Sequence, residues 1–414
     1  MFTKILDFLH LSEKYFDFIS KNSDYSQAFE RLEVFTKNNY LFILTVDEYL
    51  SGQTSLRRKI SVIFARISIL LTILRFFISG LSDDPFIKLY LMDVTTTMGP
   101  SFLVLMALNL CFLCHLANIL ILVYFKMSNE KQSKLIKIFF LVKNKQIKYS
   151  LNSIDSRKYG LKINLMTRLI IDYLFNPFFI FYIIISIILT SIILFKYEIT
   201  YQTIMIWVFW NICAIPFGHH LFSALCSAVM FAMVSTEYFK YKFNEINDKI
   251  ELSLKQLNIG LLMNAIVEHN YMERLIRHIN DLFRAWIFII YYIMTFAVEM
   301  FLYVSHKEDV LLIGRIVAIL ILIIFVVFIS YLTMIASMAT SAAHRPYSRC
   351  YSILLSKRIR LTFQQRLKLL SFTEKLSGPD IGFYCYDLFP VNSYELYQYI
   401  CISGVNYFLI MSLF

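Results

Sequence analysis

The stretch VAILILIIFVVFISYLTMIASMA, residues 317–339, carries no charged side chain over its whole length. About 20 apolar residues in a helix are enough to cross the hydrocarbon core of a bilayer. A second stretch, FFIFYIIISIILTSIILF at residues 178–195, has the same character. Stretches of this length and composition predict membrane-crossing helices.

The composition of the whole chain points the same way. Of its 414 residues, 58% are hydrophobic and 17% are charged, and the mean hydropathy is +0.61. Ordinary soluble chains are about 45–50% apolar and about 25% charged. A soluble fold of this size could not bury so much apolar surface. We therefore predict an all-α, multi-pass membrane protein.

Apolar windows predict seven transmembrane helices within a single domain, residues 1–414. The second, fourth and sixth windows are longer than a bilayer core requires, so these helices should tilt or protrude. The windows are 61–81, 94–125, 168–195, 202–235, 283–305, 310–343 and 393–414.

The distribution of lysine and arginine predicts the orientation. Of the 40 such residues, 34 fall in segments that alternate with loops holding only Lys88, Lys196 and Lys307. Since cationic loops stay cytoplasmic, we expect the N-terminus inside and the C-terminus outside. We also expect a plasma-membrane location. Most of the excess behind the formal charge of +11 then faces the anionic inner leaflet, and nucleic acid is not an expected partner.

Two of the basic segments show helical periodicity. Such helices either lie on the membrane surface or extend the long spans into a packed bundle. We expect the second, an anchor region built from about residues 236–282 and 344–392. In residues 237–282 the apolar positions at three- and four-residue steps are Phe243, Ile246, Ile250, Leu254, Leu257 and Leu261. In residues 361–376 they are Phe363, Leu367 and Leu370.

The chain lacks the short motifs that mark common catalytic sites. It has no GxGxxG, no GxxxxGK[ST] and no HExxH sequence, so we predict no enzyme activity and no cofactor. His219 and His220 stand side by side in the fourth window. Consecutive residues face different sides of a helix, which makes a poor metal site. No metal is expected, and His219 is instead a polar kink or a ligand contact.

Aromatic and polar side chains in the outer halves of the spans predict a small-molecule pocket. Such pockets are mostly apolar with a few polar groups, although membrane aromatics also serve as packing or interfacial anchors. Glu299 and Arg315 either pair across the short loop between their spans or orient a polar ligand. The candidate ligand-binding residues are Trp207, Trp210, Asn211, His219, Thr295, Glu299 and Arg315.

The last span ends with the given sequence, SGVNYFLIMSLF. Tyr407, Ile410, Met411 and Phe414 share one helical stripe. Such a stripe either packs against neighbouring helices or, in a symmetric assembly, forms a constriction that gates by dewetting. The stripe alone leaves both alternatives open.

The C-terminal region, about the last 70 residues, resembles the arthropod gustatory receptors, relatives of the insect odorant receptors. In that family the last span carries Thr-Tyr, five mostly apolar residues, then Gln-Phe. Tyr407 and Phe414 match this motif, whereas Asn406 and Leu413 depart from it. The preceding segment IGFYCYDLFPVNSYELY, residues 381–397, is similar to the family's lead into that helix.

The resemblance implies a taste receptor that acts as a tetrameric, ligand-gated, non-selective cation channel. It implies four last helices around a pore, an anchor formed by the cytoplasmic helix ends, and a tastant bound in the outer half of each subunit. Its partners would be a small-molecule tastant, permeant cations, the lipid bilayer, and copies of itself or related subunits. By position, the pore or gate residues are Tyr407, Ile410, Leu413 and Phe414.

Two other classes of membrane protein remain as alternatives. A G-protein-coupled receptor also has seven spans, but its N-terminus lies outside, and the chain contains no Asp-Arg-Tyr. A secondary transporter typically has paired halves with broken helices, and the sequence shows no such pairing.

Overall fold

The computed structural model describes residues 84–92, 176–196, 199–306, 312–355, 361–378, 381–385 and 389–392. It also describes isolated positions at 82 and 165, between 56 and 78, and between 394 and 408. The helices are α1 (Pro85–Tyr90), α2 (Asn176–Lys196), α3 (Tyr201–Lys255), α4 (Ile259–His306), α5 (Leu312–His344), α6 (Tyr347–Leu355) and α7 (Phe363–Ser377). A small antiparallel sheet joins β1 (Tyr384–Cys385) to β2 (Phe389–Pro390).

The helical class predicted from the sequence is confirmed for this part of the chain. Helix α3 has 55 residues and α4 has 48, so at about 1.5 Å per residue they run roughly 80 and 70 Å. Within the described residues, none of the helices combines the length and apolar character that a membrane crossing needs. The seven-span topology and the position of the termini stay predictions.

A tight turn separates α3 from α4. Leu257 has a positive φ of 51°, and the side-chain oxygen of Asn258 accepts a hydrogen bond from Leu261 N at 3.1 Å, which caps the start of α4. The periodicity through residues 237–282 predicted one continuous helix, and that prediction is wrong at this turn. Leu257, expected on the apolar face, is 60% exposed because the left-handed turn directs it away from the core.

The main core lies where α3, α4 and α5 pack against one another and against α7 and β1. Phe243, Ile246 and Ile250 are almost completely buried in it, as their spacing predicted. The two halves of the α3–α4 hairpin are also joined by an ion pair between Lys249 and Glu268, with a nitrogen–oxygen distance of 2.6 Å. The hairpin is therefore held by apolar burial, with a contribution from surface charge.

Helix α7 is present where the sequence predicted it, with its faces reversed. Thr362 and Gln365 form a capping box that fixes its first turn. The expected apolar stripe is exposed: Phe363 by 76%, Leu367 by 49% and Leu370 by 43%. The buried residues are Leu369, Phe372, Thr373 and Leu376. Both sets recur at helical spacing, so the spacing alone could not decide which one meets the core.

Side chains from two other helices cap the end of α5. The last carbonyls of a helix have no partner within it. Asn247 of α3 donates to Ala342 O, and His269 of α4 donates to Ala343 O, each at 2.9 Å. Burial lowers the pKa of His269 to about 4, so its ring is neutral near pH 7. These bonds fix the end of α5 against both arms of the hairpin.

The segment after α7 is tied to the same core. His344 donates through Nδ1 to Leu376 O and accepts through Nε2 from Ile381 N, both at 2.8 Å. Because a carbonyl only accepts and an amide N–H only donates, this ring is neutral with its proton on Nδ1. Asn280 of α4 accepts from Tyr384 N at 2.7 Å. The chain leading to the last predicted span is thus bound to α4 and α5.

Candidate ligand-binding site

The hairpin formed by α2 and α3 positions most of the site. Thr200 caps α3 through a reciprocal pair of bonds with Thr203. Near this end, Asn211 Nδ2 donates to Thr190 Oγ1 of α2 at 3.1 Å and to Trp207 O at 2.9 Å. Thr190 and Asn211 are both buried, so each polar group needs the other.

Trp210 joins this hairpin to the short helix α1. Its Nε1 donates to Tyr90 O at 2.8 Å. The guanidinium carbon of Arg75 lies 4.6 Å from the centre of the Trp210 ring, which is a cation–π contact. Arg75 also donates from Nε to Leu91 O and from Nη2 to Met92 O, each at 2.6 Å. One arginine therefore fixes two carbonyls and one aromatic face.

A small apolar core surrounds these contacts. Met92 has a positive φ of 48° and is fully buried, and Ile193 and Trp210 are buried beside it. Trp207 is partly buried against this core, and its Nε1 is buried without a hydrogen-bond partner in the part of the chain that the structure describes. We call the whole set the tryptophan cluster, with members Arg75, Met92, Thr190, Ile193, Trp207, Trp210 and Asn211.

The structure brings together three of the seven predicted ligand contacts, Trp207, Trp210 and Asn211. His219 lies two turns further along α3 and meets the ring of Phe179 edge-on at 5.2 Å. It contacts an aromatic ring there, and its role as a ligand contact stays a prediction.

The other three predicted contacts lie outside α3, on helices α4 and α5. Thr295 of α4 donates its hydroxyl to Tyr291 O at 2.6 Å, within its own helix. Glu299 of α4 is 7% exposed. Arg315 of α5 has a buried Nε without a hydrogen-bond partner among the described residues. A pairing of Glu299 with Arg315 stays a prediction, as does a ligand role for any of the three.

Sequence reasoning missed the part that Arg75 plays. The signal was an arginine inside an apolar window, residues 61–81, because a charge in such a place needs partners. The partners Leu91 and Met92 follow it by 16 and 17 residues and Trp210 by 135, so spacing could not reveal them. The predicted pore residues Tyr407, Ile410, Leu413 and Phe414 lie outside the described residues.

The described residues contain no group of three histidine, cysteine or acidic side chains that could hold a metal ion. The tryptophan cluster offers aromatic faces, one cation that is already engaged, and one indole N–H without a hydrogen-bond partner among the described residues. Aromatic faces with a few polar groups are typical of sites for small, mostly apolar molecules.

Comparison with solved structures finds similar proteins by shape. The chain matches insect olfactory receptor OR5 from Machilis hrabei in complex with eugenol, with a TM-score of 0.59 and 12% identity. It also matches a structure of the same receptor described without a ligand, with a TM-score of 0.64 and 11% identity. Each match covers 95% of this chain and 100% of the other. The chain shares the fold of an insect olfactory receptor.

Sequence comparisons add no closer relative. No family model matches the chain, and no curated protein matches it either. The likeness therefore concerns the fold, and at 11–12% identity it does not carry individual residues across.

Proposed function

We propose that this protein is a chemosensory receptor of the gustatory type that acts as a ligand-gated, non-selective cation channel in the plasma membrane. The observation that carries the proposal is the shared fold, which spans 95% of this chain and the whole of an insect olfactory receptor. The C-terminal Tyr407 and Phe414, which match the gustatory receptor motif, support the taste subtype.

The tryptophan cluster is the proposed ligand site. Trp207, Trp210 and Asn211 lie within one turn of α3, and Thr190 and Arg75 reach them from other parts of the chain. An olfactory receptor with the same fold has been solved with eugenol, a small aromatic molecule. We infer that a small molecule, a tastant, binds here and stabilises the open state more than the closed state.

The proposed channel is a tetramer of this chain, or of this chain with related subunits. Exposed apolar side chains on α6 and α7 support an assembly that covers them, since monomers rarely leave such groups uncovered together. These side chains are Tyr347, Tyr351, Leu355, Phe363, Leu367 and Leu370. In this proposal the parts of the main core that lie in residues 236–282 and 344–392 form a cytoplasmic anchor.

The last predicted helix lines the proposed pore, with Tyr407, Ile410, Leu413 and Phe414 facing it. Leu413 replaces the glutamine of the gustatory motif, so the constriction is apolar and closes by excluding water. Ligand binding widens this ring and lets cations pass. The seven spans, the internal N-terminus and contact with the bilayer belong to the same proposal.

The test is a current recording from cells that express the full chain and have no chemoreceptors of their own. Eugenol is the first probe, followed by a panel of neutral aromatic compounds and sugars. We expect a cation current that requires both the chain and a ligand. A response that needs a G protein and carries no current would favour a G-protein-coupled receptor, and solute uptake without a current would favour a transporter.

A further inference from the structure

The two indole rings of the tryptophan cluster differ in their hydrogen bonding. Trp210 Nε1 donates to Tyr90 O at 2.8 Å, while the buried Trp207 Nε1 has no partner among the described residues. A buried N–H without a partner is destabilising, because it has lost water and gained no bond in return. We propose that Trp207 Nε1–H is the donor that recognises the ligand, and that the ligand is a neutral molecule with an apolar body and an oxygen acceptor. This inference rests on the proposed ligand site.

The other polar groups of the cluster are already bonded. Asn211 Nδ2 donates to Thr190 Oγ1 and to Trp207 O, and Thr190 Oγ1 donates to Ser186 O at 2.7 Å. Arg75 uses Nε and Nη2 on backbone carbonyls, and its guanidinium carbon lies 4.6 Å from the centre of the Trp210 ring. A ligand acceptor that bonded to Asn211 Nδ2, to Thr190 Oγ1 or to Arg75 Nε would have to replace an existing contact. Trp207 Nε1 requires no such exchange.

The chemistry of the donor defines the ligand class. An indole N–H only donates, so its partner must accept, as the oxygen of a ketone, ester or ether does. A carboxylate is disfavoured, since one neutral donor cannot replace the water that a buried anion loses. A cationic ligand is disfavoured by the guanidinium of Arg75, 4.6 Å from the neighbouring ring of Trp210.

The inference predicts a preference between ligands of equal shape. A hydrocarbon leaves Trp207 Nε1 unbonded, whereas an isosteric ketone bonds to it. The difference between a satisfied and an unsatisfied buried group corresponds to about 5- to 150-fold in affinity. Both molecules gain the same apolar burial, so the ratio of their affinities isolates the hydrogen bond.

The experiment measures the dissociation constants of acetophenone and ethylbenzene by calorimetry on the purified full-length protein. These probes share a phenyl ring and a two-carbon substituent and differ in the carbonyl oxygen. In the native protein we expect acetophenone to bind at least fivefold more tightly. In Trp207→Phe we expect the preference to fall below twofold, with the affinity for ethylbenzene unchanged. Trp207→Tyr, which restores a donor, should recover part of the preference.

The control is Trp286→Phe, which removes an indole from α4 and should keep the native preference. The inference is overturned if the native protein shows no preference, if acetophenone does not bind, or if Trp207→Phe keeps the native ratio. Should Trp207→Phe fail to fold, the two native affinities and Trp207→Tyr still decide the question. Because binding is measured without current, a protein that binds as expected but conducts no ions would contradict the channel proposal alone.

Discussion

His269 Nε2 of α4 lies 2.9 Å from Ala343 O in the last turn of α5. His269 is fully buried, and its ring lies between the rings of Phe243 and Phe372, 5.0 and 4.9 Å away between centres. Its Nδ1 has no hydrogen-bond partner among the described residues. The neutral ring thus donates a hydrogen bond from a buried site between two aromatic rings. Burial makes the protonated, charged form of the ring unfavourable there.

This relationship predicts how stability depends on pH. Burial lowers the pKa of His269 to about 4, whereas an unfolded histidine titrates near 6.5. Between these pH values the unfolded state binds more protons than the folded state. The contribution of His269 to stability is therefore fully present above about pH 6.5 and falls as the pH approaches 4. The expected loss between pH 7 and pH 5 is about 2 kcal/mol. His269→Gln keeps a neutral donor without titrating and should flatten this part of the curve. An equal slope in both proteins, measured by thermal unfolding in detergent, would contradict the assignment.

The ion pair between Lys375 of α7 and Glu273 of α4 gives a second prediction. The Glu273 side chain is only 2% exposed, and it also pairs with Arg277, whose Nη2 lies 2.7 Å from Oε1. Removing one partner of a buried carboxylate is costly, although Arg277 remains. Lys375→Met should lower the free energy of unfolding by about 1–3 kcal/mol.

Two variants control this measurement. Lys368→Met removes an exposed cation from the same helix and should change the unfolding free energy by less than about 0.5 kcal/mol. Glu273→Gln should reduce the cost of Lys375→Met, because no buried charge is left to compensate. If Lys368→Met and Lys375→Met cost the same, the contact with Glu273 contributes nothing.

Gly382 lies against Thr340 of α5, so closely that a Cβ at position 382 would overlap the threonine hydroxyl. Gly382→Ala should therefore cost about 1–3 kcal/mol through overpacking, as unfolding measurements would show. Gly404 has open space around its Cβ position, so Gly404→Ala should be neutral or slightly stabilising. Equal effects of the two substitutions would mean that the approach of Gly382 to Thr340 is not close in solution.

The contact of Arg75 with Trp210 predicts a local effect. Lysine lacks the planar fork that reaches two carbonyls and one ring together, so Arg75→Lys should loosen residues 84–92. Hydrogen exchange should show faster exchange of the amides at Lys88, Leu91 and Met92, which are bonded in the native fold. Amides in α7 should exchange as before. Unchanged exchange at Leu91 would contradict the role given to Arg75.

The apolar stripe of the last span predicts a gating phenotype. If Phe414 closes the pore, Phe414→Ala should raise the current measured without ligand, because a smaller ring is easier to wet. In that predicted helix Phe408 falls on the side away from Ile410, Leu413 and Phe414, and Phe408→Ala should leave the basal current unchanged. Equal basal currents in well-expressed native protein and Phe414→Ala would remove Phe414 from the gate.

The sequence predicted what depends on local pattern. Phe243, Ile246 and Ile250 were placed in a core because their spacing matches one helix face, and they are buried there. The pattern failed where two answers were equally regular, as on α7, or where a single residue with positive φ such as Leu257 interrupts a long periodic run. Local periodicity identifies the faces of a helix, but it does not show which face packs against the core.

The polar contacts of the fold were beyond sequence reasoning. Asn280 and Tyr384 are 104 residues apart, and Trp210 and Tyr90 are 120 apart. Trp207, Trp210 and Asn211 were proposed together because they are close in sequence and chemically suited to a pocket. Arg75 was not, since its partners come from a turn and a helix that only the fold brings near it.

The subunit number of the purified full-length protein decides whether it forms a tetrameric receptor channel. Single-particle images of the protein in detergent require no knowledge of the ligand. We expect particles with fourfold symmetry around a central axis, each containing four chains of 48.9 kDa. Stable, homogeneous monomers that form no larger assembly with related subunits would contradict it.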